Sequence, residues 1–137
     1  MQLHASCAAR RGVGVLVIGL PGSGKSSLIV QLIEAGFLLV ADDRVDISGV
    51  IASAPQSLRG LIEVRGLGLL RLPYLRQCHL KLVARFHSND RLPAMELHEL
   101  TGLPTIHLPP FETAYRRVCL ALDSLLHAST HPIGAFT

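Results

Sequence analysis

Eight consecutive residues, Gly19-Leu20-Pro21-Gly22-Ser23-Gly24-Lys25-Ser26, fit the phosphate-binding pattern GxxxxGK[ST] and follow directly on the apolar run Val13-Gly14-Val15-Leu16-Val17-Ile18. A buried strand that ends in glycines lets the backbone turn tightly, so that successive N–H groups and the start of the next helix converge on one phosphate chain. In such a loop Lys25 places its ammonium on the β- and γ-phosphates and Ser26 offers a hydroxyl to Mg²⁺. Strand, loop and helix fall in the order this chemistry needs. The segment is therefore expected to bind a nucleotide rather than to be a glycine-rich turn between a core strand and a core helix.

The flanking sequence supports that frame. Residues 27–35 carry apolar side chains at helical spacing and stop at Gly36, a favoured C-terminal cap. The short apolar run 37–41 then completes a β-α-β unit, whose crossover is expected to be right-handed. A further strand is expected over 46–51, ended by the turn residues Ser53-Ala54-Pro55. Alternation of Leu80, Leu82, Ala84 and Phe86 with polar residues predicts a half-exposed strand over 78–86. Shorter strands are expected over 95–100 and 105–108, bounded by Gly102, Pro104 and Pro109-Pro110. Residues 112–128 predict a closing helix with Val118, Ala121, Leu122, Leu125 and Leu126 on one face. A chain of 137 residues suffices for one core and not for two. Residues 1–128 are thus expected to form a single α/β P-loop domain, and 129–137 a frayed tail.

Hydrophobic residues make up 49% of the chain and charged residues 17%, a balance that leaves room for apolar surface covered by other subunits. The net charge of +3 comes from scattered basic residues with no aromatic-interleaved cluster, which argues against nucleic acid as a partner. The same mild positive balance suits ATP and an acidic protein partner. Cys7, Cys78 and Cys119 are far apart in sequence and lack metal-ligand spacing, so they are expected to be reduced thiols in packing roles. Arg10-Arg11 followed by an apolar stretch superficially resembles a signal peptide, but the stretch runs straight into the phosphate loop without a small-residue cleavage site. No apolar run reaches the roughly 18 residues of a membrane span. A cytoplasmic protein is expected.

Phosphoryl chemistry also needs carboxylates, to hold the metal and to take a proton from an acceptor hydroxyl. Asp42 and Asp43 stand at the end of the second apolar run, where strand ends share one edge of the sheet with the phosphate loop. Adjacent acids can divide the work, one contacting metal or bound water and the other acting as base. The alternative is a solvated acidic turn. In the segment 61–69, Glu63 and Arg65 fall on the same face if the chain is extended. A charged pair in such an apolar segment must be paired, metal-bound or exposed, and on its own suggests a structural salt bridge.

These residues together carry a resemblance. The order His4, then Gly19 to Ser26, then Leu39-Val40-Ala41-Asp42-Asp43-Arg44-Val45, then Glu63-Val64-Arg65-Gly66-Leu67-Gly68 closely resembles the catalytic domain of bacterial HPr kinase/phosphorylase. The resemblance covers roughly residues 2–125, and the chain looks like a short form without the separate N-terminal domain of longer members. It implies a central mixed β-sheet flanked by helices, related to phosphoenolpyruvate carboxykinase. It further implies that ATP and Mg²⁺ are used to phosphorylate a serine of HPr, the phosphocarrier of the sugar phosphotransferase system, with reversal by phosphorolysis. By the same resemblance Lys25 stabilises the transferred phosphoryl group, and Ser26 and Glu63 are metal ligands. One of Asp42 and Asp43 exchanges the serine proton. His4 matches the family's active-site histidine, and Arg91 in Asn89-Asp90-Arg91-Leu92 resembles a family arginine that neutralises charge on the moving phosphoryl. The resemblance implies a homo-oligomer as well, with a hexameric ring as the candidate form.

Some positions depart from that pattern. Ser27 stands where the family usually has an acid, and residues 71–87 match poorly. Leu108-Pro109-Pro110-Phe111-Glu112-Thr113 replaces a basic, glycine-containing loop that the family associates with dephosphorylation, so kinase activity is the better supported direction. Two other classes share the phosphate loop: a P-loop kinase for a small molecule, and a non-catalytic ATP-sensing module. The first would need a substrate lid that no long basic insertion supplies. The second has no need to keep Lys25, Ser26, Asp42, Asp43 and Glu63 together.

Overall fold

A computed structural model of the chain describes residues 1–19, 24–86, 96–98, 101–108 and 114–126. Its elements are β1 Gln2–Leu3, β2 Ala5–Arg10, β3 Val13–Ile18, α1 Lys25–Glu34, β4 Leu38–Ala41, β5 Val45–Ser48, β6 Ile51–Ser53, a 3₁₀ turn Gln56–Leu58, β7 Leu61–Val64, β8 Gly68–Arg71, β9 Gln77–Phe86, β10 Glu96–Leu97, β11 Pro104–Leu108 and α2 Ala114–Leu126. The strands build one large mixed sheet in the order β1-β5-β6-β9-β3-β2-β4, with β11 on the second half of β9 and β10 beyond it; β7 and β8 form a separate hairpin.

The strand of the phosphate loop lies at the centre. Val15, Leu16 and Val17 are fully buried, as expected of a β-branched run covered on both faces. Ten-residue β9 runs parallel to β3 on one edge and serves two neighbours on the other, β6 antiparallel along its first half and β11 parallel along its second. Its sequence alternation shows in the burial of Cys78, Leu80 and Leu82 between exposed His79 and Lys81, and gives way to burial on both faces at Val83 and Ala84 once β11 joins. One apolar layer, including Val15, Val17, Leu28, Leu32, Phe37, Leu82, Val118 and Leu122, joins the sheet to α1 and α2. A second, including Cys7, Leu16, Val40, Val45, Ile47 and Leu80, forms where β5 and β6 fold over β2 and β4.

Several expectations are corrected. The strand expected over 46–51 is two antiparallel strands, β5 and β6, because a turn at Gly49-Val50 reverses the chain. The β-α-β unit is present, but β3 and β4 do not pair: β2 lies between them and is antiparallel to both. That strand is absent from the sequence reading, where Arg10-Arg11 drew attention as a leader-like pair. Arg11 and Gly12 instead form the two-residue turn of the β2–β3 hairpin, both at positive φ, which gives the right-handed twist that adjacent strands need. Cys7 and Cys78, far apart in sequence, bring their sulfurs to 3.6 Å. Leu126 is exposed on α2, whereas Val118, Ala121 and Leu122 face the core as expected. Leu20, Pro21, Gly22 and Ser23 of the phosphate loop, Arg91, the segment 109–113 and the tail 129–137 lie outside the described residues.

Candidate active site

The topology gathers the chemistry on one edge. The register places the end of β3 beside the start of β2 (Ile18 opposite Ala5) and the end of β4 near the same point (Ala41 opposite Cys7). The first turn of α1 lies at that edge too. Gly24 precedes it at φ 109°, a conformation that a residue without Cβ adopts at no steric cost. Among the described residues no side chain caps this helix start, whose positive dipole end lies at the cleft. Lys25 is 7% exposed and folds its ammonium back to donate to the Gly19 carbonyl at 2.9 Å, spanning the two ends of the phosphate loop.

Asp42 is the hub of the site. Its Oδ1 accepts from the hydroxyls of Ser26 and Ser6, each at 2.9 Å, and its Oδ2 accepts from the backbone N–H of Glu63 at 3.1 Å. A carboxylate with three donors is held in one orientation, and each donor comes from a different element. The bond to Glu63 anchors the β7–β8 hairpin to the site, which sets the Glu63 side chain on the rim of the cleft. Asp43 takes a left-handed conformation at φ 67°, which turns its side chain away from Asp42 and toward solvent. There its Oδ1 lies 3.9 Å from Nδ1 of His4, with both side chains mostly exposed.

Between α1 and the β7–β8 hairpin runs a cleft of about 630 Å³. Lys25, Ser26, Asp42, Asp43 and Glu63 line it, together with Arg65. Glu63 and Arg65 therefore share the cleft, though not as the sequence suggested: Arg65 belongs to the turn after β7, and no ion pair joins the two among the described residues. The oxygen donors of Ser26, Asp42 and Glu63 suit a hard cation. Among the described residues no three His, Cys, Asp or Glu side chains form a metal cage.

The sequence reading missed Ser6. Its only signal was a hydroxyl inside the otherwise apolar run Ala5-Ser6-Cys7-Ala8-Ala9, where burial demands a hydrogen-bond partner. Of the residues singled out, His4, Lys25, Ser26, Asp42, Asp43 and Glu63 converge on this edge.

Residues 1–75 match the family model described as "HPr Serine kinase C-terminal domain". The chain belongs to that family. Among its curated relatives, the HPr kinase/phosphorylase of Bordetella pertussis is 41% identical over 112 residues, covering 68% of this chain and 36% of the relative. The HPr kinase/phosphorylase of Aromatoleum aromaticum is 30% identical over 94% of the chain and 48% of its own length. The chain thus spans between about a third and a half of these relatives. The solved HPr(Ser) kinase/phosphatase of Coxiella burnetii superposes with a TM-score of 0.75 at 23% identity, covering 95% of this chain and 96% of that one, which shows the α/β fold with its mixed sheet and flanking helices.

Proposed function

We propose that this chain is an ATP- and Mg²⁺-dependent kinase domain that phosphorylates a serine of an HPr-type phosphocarrier protein, a regulatory step of the phosphotransferase system. The observation that carries the reading is the hydrogen bond from the phosphate-loop hydroxyl of Ser26 to Asp42, with Lys25, Asp43 and Glu63 around the same cleft. Membership of the HPr kinase family and the names of the relatives support HPr as the acceptor.

In this reading ATP supplies the phosphoryl group and Mg²⁺ offsets its charge. The residues do the positioning. Of the loop residues Gly19, Leu20, Pro21, Gly22, Ser23 and Gly24, all but Pro21, which has no N–H, offer backbone N–H groups, and Lys25 exchanges its bond to the Gly19 carbonyl for phosphate oxygens. Ser26 and Glu63 are the metal ligands, with Asp42 orienting the Ser26 hydroxyl. One carboxylate of Asp42 and Asp43 takes the proton of the acceptor serine, and by microscopic reversibility returns one in phosphorolysis. His4 flanks Asp43, and Arg91 neutralises charge on the transferred group. The reading includes a cytoplasmic site of action; no described helix is long and apolar enough to cross a membrane. Exposed Leu67 and Leu69 on the β7–β8 hairpin support assembly of a homo-oligomer, with a hexamer as the candidate.

The test incubates the protein with γ-labelled ATP, Mg²⁺ and purified HPr and locates the label. Label on an HPr serine, lost when Asp42 and Asp43 are both changed to Ala, is the expected result. Nucleotide binding with no transfer would replace this reading with an ATP-sensing module; transfer to a small molecule alone would replace it with a metabolite kinase. Adding inorganic phosphate to serine-phosphorylated HPr reads out the reverse reaction.

A further inference from the structure

We propose that Ser6 is a positioning residue for the acid pair, its one hydroxyl holding the Asp42 carboxylate beside Ser26 and pinning the left-handed turn at Asp43. Ser6 is fully buried on β2, the strand inserted between β3 and β4. Its Oγ accepts the backbone N–H of Asp43 at 3.1 Å and lies 2.9 Å from Oδ1 of Asp42. An N–H can only donate, so the hydroxyl proton is free to go to the carboxylate, and the direction of both bonds is set. The neighbouring backbone holds the turn from the other side: Ala5 donates its N–H to the Asp43 carbonyl at 3.2 Å, and Arg44 donates to the Asp42 carbonyl at 2.8 Å.

The consequence is a division between two adjacent acids. Asp42 is turned inward to the phosphate loop, whereas Asp43 is turned outward to His4, itself only two residues before Ser6. Removing the hydroxyl leaves the Asp43 N–H without its partner and frees one side of the Asp42 carboxylate, so the turn can relax. Lys25 and the helix start do not depend on Ser6 and keep their hold on the nucleotide. This inference rests on the kinase reading for its effect on turnover, but not for its effect on the turn.

The experiment compares Ser6→Val with Ser6→Thr, which have the same shape and differ by the hydroxyl alone. Ser6→Ala serves as a third variant that removes the hydroxyl without adding volume to a packed strand. In the full chain with Mg²⁺, ATP and HPr, Ser6→Val and Ser6→Ala should lose kcat on the order of 100-fold while the KM for ATP stays near wild type. Ser6→Thr should recover most of that loss. Amide exchange at Asp43, followed by NMR, should be about tenfold faster in the two variants without a hydroxyl and near wild type in Ser6→Thr. Wild-type exchange at Asp43 in Ser6→Val and Ser6→Ala, or an unchanged kcat in both, would overturn the proposal. If the wild-type chain transfers no phosphate to HPr, the kinase reading fails, and Asp43 exchange alone decides the role of Ser6.

Discussion

The hydroxyl of Ser26, in the first turn of α1, donates to Oδ1 of Asp42 at the end of β4 over 2.9 Å. This bond joins the two halves of the β-α-β unit at the edge of the cleft. Ser26→Ala should lower the affinity for Mg²⁺-nucleotide by about 10- to 100-fold, with a smaller loss for nucleotide in the absence of Mg²⁺. Calorimetric titration with and without Mg²⁺ checks this; equal losses in the two titrations would detach Ser26 from the metal.

Asp43 holds φ 67°, where a Cβ normally crowds the backbone and where Asp and Asn are better tolerated than most residues. Asp43→Asn should fold with nearly wild-type stability yet impair phosphoryl transfer. Asp43→Ala should in addition destabilise the domain by about 1 kcal/mol. Denaturant unfolding separates the backbone effect from the loss of the carboxylate, and equal stabilities of the Ala and Asn variants would show that the turn carries no strain.

Gly14 leaves the space that Cys78 fills from β9: a Cβ there would overlap the Cys78 sulfur, which is itself packed 3.6 Å from that of Cys7. Gly14→Ala should therefore cost about 1–3 kcal/mol. In a Cys78→Ala background the same change should cost less, with a coupling of about 0.5 kcal/mol or more. Strictly additive losses in a double-mutant cycle would mean that the strand, not the sulfur, resents the methyl group.

The hydrogen bond with Cys78, together with burial, holds the Cys7 thiol well above its ordinary range, and burial also raises Cys119. Because the folded value is raised, the stabilising contribution is complete below the unfolded thiol's pKa and is lost as pH rises above it, where the unfolded chain releases a proton that the folded chain keeps. The same bond lowers Cys78, which opposes the trend, but Cys7 is the fully enclosed member of the pair and governs it. Stability should fall on the alkaline side and fall less in Cys7→Ala. Urea midpoints collected from neutral to alkaline pH provide the check; identical slopes for the two proteins would remove Cys7 as the cause.

Strand β3, helix α1 and the acids at 42–43 were legible in the sequence because each is a local pattern: an apolar run, apolar spacing that closes at Gly36, and two carboxylates directly after the next apolar run. Glu63 was legible through its segment, although its true partner was not. Arg65 was misplaced because a positive-φ glycine at 66 turns the chain where an extended face was expected. The hairpin turn at Gly49-Val50 went unseen for a similar reason, since a two-residue turn barely interrupts the alternation of Asp46, Ile47, Ser48 and Ile51.

What the sequence by itself determined is therefore strand β3, helix α1 and the acids that follow the next strand, since each is set by contacts between near neighbours in the chain. Only the tertiary structure decided that β2 lies between β3 and β4. Strand order is chosen by the burial of whole faces, which no local window of residues encodes. That choice brings Ser6 across 36 residues to Asp42, sets His4 beside Asp43, and places the Glu63 N–H on the second oxygen of the same carboxylate.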